Sequence, residues 1–173
     1  MINKTRWFDR KFQFDLPLEL FPNIVERLRG TPARLAERAA HLPSDVLVRK
    51  DGSAWSIQEQ VGHLLDLEPL WSARIDELLA GARLLSAADL QNRKTHEANH
   101  NADKIENLLK RFKAERDHIV ARLEHLEESD VARSAMHPRL AQPMNMMDLA
   151  FFVAEHDDHH LTRITMLRRQ WGE

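Results

Sequence analysis

Residues 145–171 read NMMDLAFFVAEHDDHHLTRITMLRRQW. On a helical wheel at about 100° per residue, Leu149, Val153, Ile164 and Leu167 share one side, the pattern of an amphipathic helix. Asn145 is suited to cap its start. Asp148 in the first turn, and Arg163, Arg168 and Arg169 toward the other end, complement the helix dipole. Two residues interrupt the apolar stripe. His156 and His160 lie in its middle, four apart, so their rings project from successive turns about 5–6 Å apart.

Three further segments carry the same period. Leu18 to Leu42 places Ile24, Leu28, Leu35 and Ala39 on one side, divided in two at Gly30-Thr31-Pro32, where Thr31 can cap and Pro32 can take a first helical position. Ser56 and Glu59 form a capping box that opens the next helix. It continues through Val61, Leu64, Trp71, Ile75 and Leu78, with a bend expected at Pro69 and a stop at Gly81. A third segment runs from about Ala102 to Glu127 through Leu108, Phe112, Ile119 and Leu123. Residues 82–101 and 129–143 lack a clear period and read as long connections, the first with at most a short helix. The sum is an all-α four-helix bundle with long crossover loops. It forms one domain over residues 1–173, with 1–16 as an N-terminal arm. The arm's Lys4, Arg6, Trp7, Arg10, Lys11 and Phe12 are read as docking Trp and Phe on the bundle.

Composition removes whole chemistries. The chain has 173 residues, no cysteine, five glycines and ten histidines. Without cysteine there is no disulfide, no thiolate zinc site, no iron–sulfur cluster and no Cys nucleophile. Neither G-x-G-x-x-G nor G-x-x-x-x-G-K-[ST] occurs, so no glycine-rich phosphate cradle is present. A net charge of -2 argues against a nucleic-acid partner. The charged N-terminus lacks the apolar core of a signal peptide, and no run approaches the ~18 apolar residues that span a membrane. A cytoplasmic protein is the expectation.

The surplus imidazole needs an account. Two helical histidines four apart can reach one metal ion at ~2.0–2.1 Å each. Asp157 stands where the zincin motif H-E-x-x-H has its glutamate, so this is H-x3-H only. The best third ligand is His63, at the edge of the second helix's stripe beside Leu67 and Leu70. Taken singly, His63 and His156 each read as well as a hydrogen-bonded core histidine. Together with His160 they suggest a metal site in a bundle core.

Trp55-Ser56-x-x-Glu59-x-x-x-His63, followed far along the chain by His156-Asp157-x-His159-His160, resembles the DinB-like, or YfiT-like, superfamily. Glu26 to Leu35 also looks like the first helix of some members. The resemblance implies a four-helix bundle of up-up-down-down connectivity and a divalent metal held by three histidines, carried over here to His63, His156 and His160. Zinc or nickel suits such a site first, then iron or manganese. It also implies a metal-dependent hydrolase, or a transferase using a low-molecular-weight thiol, with a small-molecule substrate. Asp157 and Glu59 (or Gln60) are candidate partners for the ligand rings. Two alternatives stand beside this one: a non-catalytic, dimeric binding module with a structural or vestigial metal, and a metal-free core with hydrogen-bonded histidines. A homodimer is expected. Of the other histidines, His159 reads as a ligand-ring partner or as surface, and His137 as a candidate for the site mouth. His96 and His100 read as a solvated face, as do Asp66 and Asp158, and His41, His118 and His125 as surface.

Overall fold

In the computed structural model, residues 5–39 and 41–172 are described; Lys4 of the basic arm lies outside them. The helices are α1 (Phe21–Arg29), α2 (Thr31–Ala39), α3 (Ser44–Leu47), α4 (Ile57–Leu79), α5 (Arg93–Glu97), α6 (Ile105–Glu124), α7 (Glu128–Val131) and α8 (Met146–Trp171). Both long-helix starts are chemically determined. Ser56 Oγ accepts from the Glu59 amide while the Glu59 carboxylate takes the Ser56 amide, and Asn145 and Asp148 repeat the exchange before α8. Gly81, at φ 71°, takes the left-handed position that ends α4, and α4 itself runs on through Pro69. Thr31 is not a cap: it lies inside α2, and its hydroxyl donates to Asp157 Oδ2 at 2.9 Å.

Four long elements, α1–α2, α4, α6 and α8, make the bundle. At one end Val25 and Leu28 of α1 pack with Trp71 and Ile75 late in α4, Ile119 and Leu123 late in α6, and Leu149 and Val153 early in α8. At the other end Leu35 of α2 packs with Val61 early in α4, Leu108 early in α6, and Ile164 and Leu167 late in α8. The first and fourth elements therefore run one way, and α4 and α6 the other. The polar contacts agree, since Glu68 meets Arg116 and Asp76 meets Arg122 as both helices advance. The four-helix bundle stands, but the connectivity is up-down-down-up, not up-up-down-down. The reason lies in the connections: because α4 and α6 are parallel, residues 80–104 must travel back along the bundle.

That crossover begins beside a small sheet. Residues 129–143, read as a loop, contain α7 and an antiparallel hairpin of β1 (Ser134–His137) and β2 (Gln142–Asn145). Leu85 N–H donates to the Met136 carbonyl at 3.0 Å, adding the crossover's first residues to the hairpin edge. Strands of four residues are too short to show a period of two against the surrounding loop. The N-terminal arm packs as expected, with Trp7 edge-on to Phe12 and Phe152. No helix among the described residues is long and apolar enough to cross a membrane.

Between the two apolar ends sits a charged layer. Arg116, wholly buried, donates to Glu68 of α4 at 2.6 and 3.1 Å and to Asp157 of α8. Burial pushes the Glu68 carboxyl upward, with Arg116 opposing. Removing the cation would strand two carboxylates away from water. Arg116→Met is expected to destabilise the fold by about 3–5 kcal/mol in chemical denaturation; a variant as stable as the parent would contradict a binding role for this layer.

Candidate metal centre

His63 on α4 and His156 and His160 on α8 converge as expected: one ring nitrogen of each lies within 4.8 Å of the others, and all three residues are buried. The remaining hydrogen bonds determine which nitrogens face inward. Thr95 Oγ1 donates its single proton to Asp66 Oδ2 at 2.9 Å, so at its 3.0 Å contact with His63 it accepts from Nδ1–H. Gln60 Oε1 accepts from His160 Nδ1–H at 2.6 Å. Both rings thus present bare Nε2 atoms. His156 Nε2 lies 3.2 Å from His160 Nε2, and its buried Nδ1 has no hydrogen-bond partner. Two ligands at ~2.0–2.1 Å on a tetrahedral ion stand about 3.3 Å apart, so this separation suits a shared cation. Burial holds His63 neutral, its pKa lowered to about 4, and holds His156 well below its ordinary value. Neutral imidazoles are the form that ligates metal.

Of the expected partners of these rings only Gln60 takes that place, on His160. Asp157 is spent on Arg116 and Thr31, and Glu59 on the capping box and Lys50 at 2.9 Å, so neither carboxylate reaches the histidines. Gln60 does. So do residues of the crossover. Asp66, read as solvated, instead accepts from Thr95 and pairs with His100 Nε2 at 2.8 Å, and His100 is buried. His96 remains exposed, against Trp55, and Asp158 pairs with Arg27 and Arg34. His41, His118 and His125 are at the surface, as expected. No periodicity signalled Thr95 or His100. The available hint was Gly62: a Cβ there would meet the His100 ring at 2.3 Å, so the helix keeps a glycine where the crossover's imidazole docks.

The three histidines form part of the wall of a cavity of about 790 Å³. Trp7, Trp55, Trp71 and Phe152 supply aromatic walls, and His159, Arg74, His137 and Arg139 also line it. Trp55 lies against His63, ring centroids 4.6 Å apart, and Trp7 is edge-on to His156 at 4.9 Å. His137 lines the cavity, buried rather than at an open mouth.

Alanine favours helix over glycine by about 1 kcal/mol, yet Gly62→Ala should lower stability and weaken metal binding about tenfold, because displacing His100 loosens Asp66, Thr95 and then His63; an unimpaired variant in metal titration would break that chain of support. Burial, reinforced by Arg74 and Arg139, lowers the His137 pKa to about 4, against 6.5 for the unfolded chain. Unfolding therefore takes up a proton between those values, and stability present above pH 6.5 declines as pH falls toward 4. His137→Gln should make that decline shallower in denaturation curves taken across the window, leaving the share contributed by His63 and His156.

Residues 27–164 match the family model of the DinB superfamily. The sequence finds no match among curated proteins. Among solved structures, YfiT from Bacillus subtilis is described as a probable metal-dependent hydrolase with an unusual four-helix bundle topology. It aligns with a TM-score of 0.80 at 20% identity, over 94% of this chain and 94% of that one. At that identity the likeness is one of fold. The family match runs from α1 into α8 and takes in all three converging histidines, and this chain belongs to the DinB superfamily.

Proposed function

We propose that the protein is a metal-dependent enzyme, a hydrolase in its first reading, that acts on a small molecule in the cavity with His63, His156 and His160 as ligands. One observation carries this. Three ring nitrogens converge in a cavity wall, and no fourth ligating side chain among the described residues joins them. Structural zinc sites are closed by four protein ligands, whereas catalytic ones keep a position open. The same observation favours catalysis over a structural or vestigial site. Zinc or nickel is the proposed ion.

When bound, the ion supplies Lewis acidity and lowers the pKa of a water or thiol that it holds. The chain's residues supply the setting. Thr95 and Gln60 fix the tautomer and tilt of two ligand rings. Trp7, Trp55 and Trp71 line the space in front of them with apolar surface, which excludes water around the reacting groups. The description of YfiT as a probable metal-dependent hydrolase supports water as the nucleophile. If a thiol serves instead, it arrives as a co-substrate, since the chain has no cysteine.

Protein purified without chelators should carry about one equivalent of divalent metal by elemental analysis, and His160→Ala should lose most of it; full retention would overturn the ligand set. Chelation should lower the melting temperature of the parent and metal should restore it. At a hundredfold excess over Kd, the ion contributes about 2.7 kcal/mol, or roughly 5–10 °C for a domain of this size.

A further inference from the structure

We infer that the cavity takes a small molecule bearing a carboxylate, seated on Arg139 and Arg74, with an apolar body against the aromatic wall and its far end at the three histidines. This rests on the cavity being the substrate pocket of the proposed enzyme, and it does not need the metal. The cavity lining carries an excess of hydrogen-bond donors. Arg139 Nη2 and Trp71 Nε1 are buried without a hydrogen-bond partner, and both residues line the cavity. Arg139 has no ion pair among the described residues.

His137 sharpens the imbalance. Arg74 Nη1 faces its Nε2 at 3.2 Å, while the Leu140 amide faces its Nδ1 at 3.1 Å. A neutral imidazole has one lone pair and one N–H, so it satisfies only one of these two donors. The rest of Arg74 is spent on the Ser86 carbonyl, at 3.0 and 2.7 Å. Nearby carboxylates are committed: Glu77 accepts from the Ser86 amide and hydroxyl, and Asp89 from the Gln91 and Arg93 amides. Burial lowers the pKa of both arginines, Arg74 to about 10, so their charge is poorly solvated here. An oxyanion is the missing acceptor.

Geometry selects a carboxylate and puts its seat and the histidines around the same indole. The Arg139 guanidinium carbon lies 5.4 Å from the Phe8 centroid and 5.9 Å from that of Phe152, against whose rings the planar fork can be held for bidentate pairing. Arg74 sits 5.3 Å from the Trp71 centroid, and Trp71 is 5.9 Å from the His156 ring, so one indole separates the cationic wall from the ligands.

The test uses phenylacetate, phenylacetamide and phenyl phosphate as probes, read by quenching of the cavity tryptophans and by calorimetry on chelator-treated full-length protein. Phenylacetate should bind at least tenfold more tightly than the neutral amide, as charge-assisted hydrogen bonds require. That preference should vanish in Arg139→Met and persist in His160→Ala. Equal binding of acid and amide, or a preference that survives Arg139→Met, would overturn the inference. So would a preference that appears only with added metal and is lost in His160→Ala, since the acid would then be binding the ion. Phenyl phosphate outbinding phenylacetate would overturn the choice of carboxylate. If elemental analysis finds no metal while the acid preference stands, the metal reading fails and the anion seat remains.

Discussion

Arg116 is the contact on which the site depends. Its guanidinium, with no exposed surface, joins Glu68 on α4 to Asp157 on α8, and Asp157 also receives the hydroxyl of Thr31 from α2. All four elements of the bundle meet at this level. Asp157 immediately follows His156, so anchoring its carboxylate toward α6 and α2 sets the rotation of α8 about its own axis. That rotation turns His156 and His160 toward α4, where His63 waits. A buried ion pair adds little net stability over apolar packing. Here its value is positional, because an apolar layer would hold the helices together while permitting small rotations.

The up-down-down-up order has a second consequence. Parallel α4 and α6 force a connection that runs the length of the bundle, and this connection brings Thr95 and His100 to the start of α4. Gln58 Nε2 fastens it there by donating to the carbonyls of His100 and Asp103 at 2.6 and 2.7 Å. One face of α4 thus holds His63, one of the three converging histidines, together with Asp66, which accepts from Thr95, the crossover residue behind that ring. The hairpin before α8 plays a matching role, bringing His137 and Arg139 into the lining of the cavity that the three histidines share.

Much of this was legible in the chain. The capping box at Ser56 and the cap at Asn145 are local chemistry legible in the sequence, and the structure adds a reciprocal bond from Asp148 to the second. The stripe on α8 carried its own anomaly, because two histidines among Leu149, Val153 and Ile164 are buried wherever that face packs. Other features were not legible. Asp66, His100 and His137 occupy positions or stretches where polarity suggests solvent, and each is buried through a partner distant in sequence. Asp157 adjoins His156 in sequence, yet adjacent residues on a helix point about 100° apart, so it serves another face of α8, toward α2 and α6.

Sequence alone determined the long helices, the capped starts of two of them and the imidazoles that an apolar stripe would carry inward, because these follow from the 3.6-residue period and from contacts within one turn. It also determined the chemical class of any metal ligand, since a chain without cysteine and with histidines in its core offers neutral nitrogen. Tertiary structure decided the direction of each helix, the crossover that supplies Thr95 and His100, and the gathering of two arginines and three converging histidines around one cavity. Those depend on which faces meet. A periodic stripe says only that a face is buried, and the partner it is buried against is settled by packing among residues far apart in the chain.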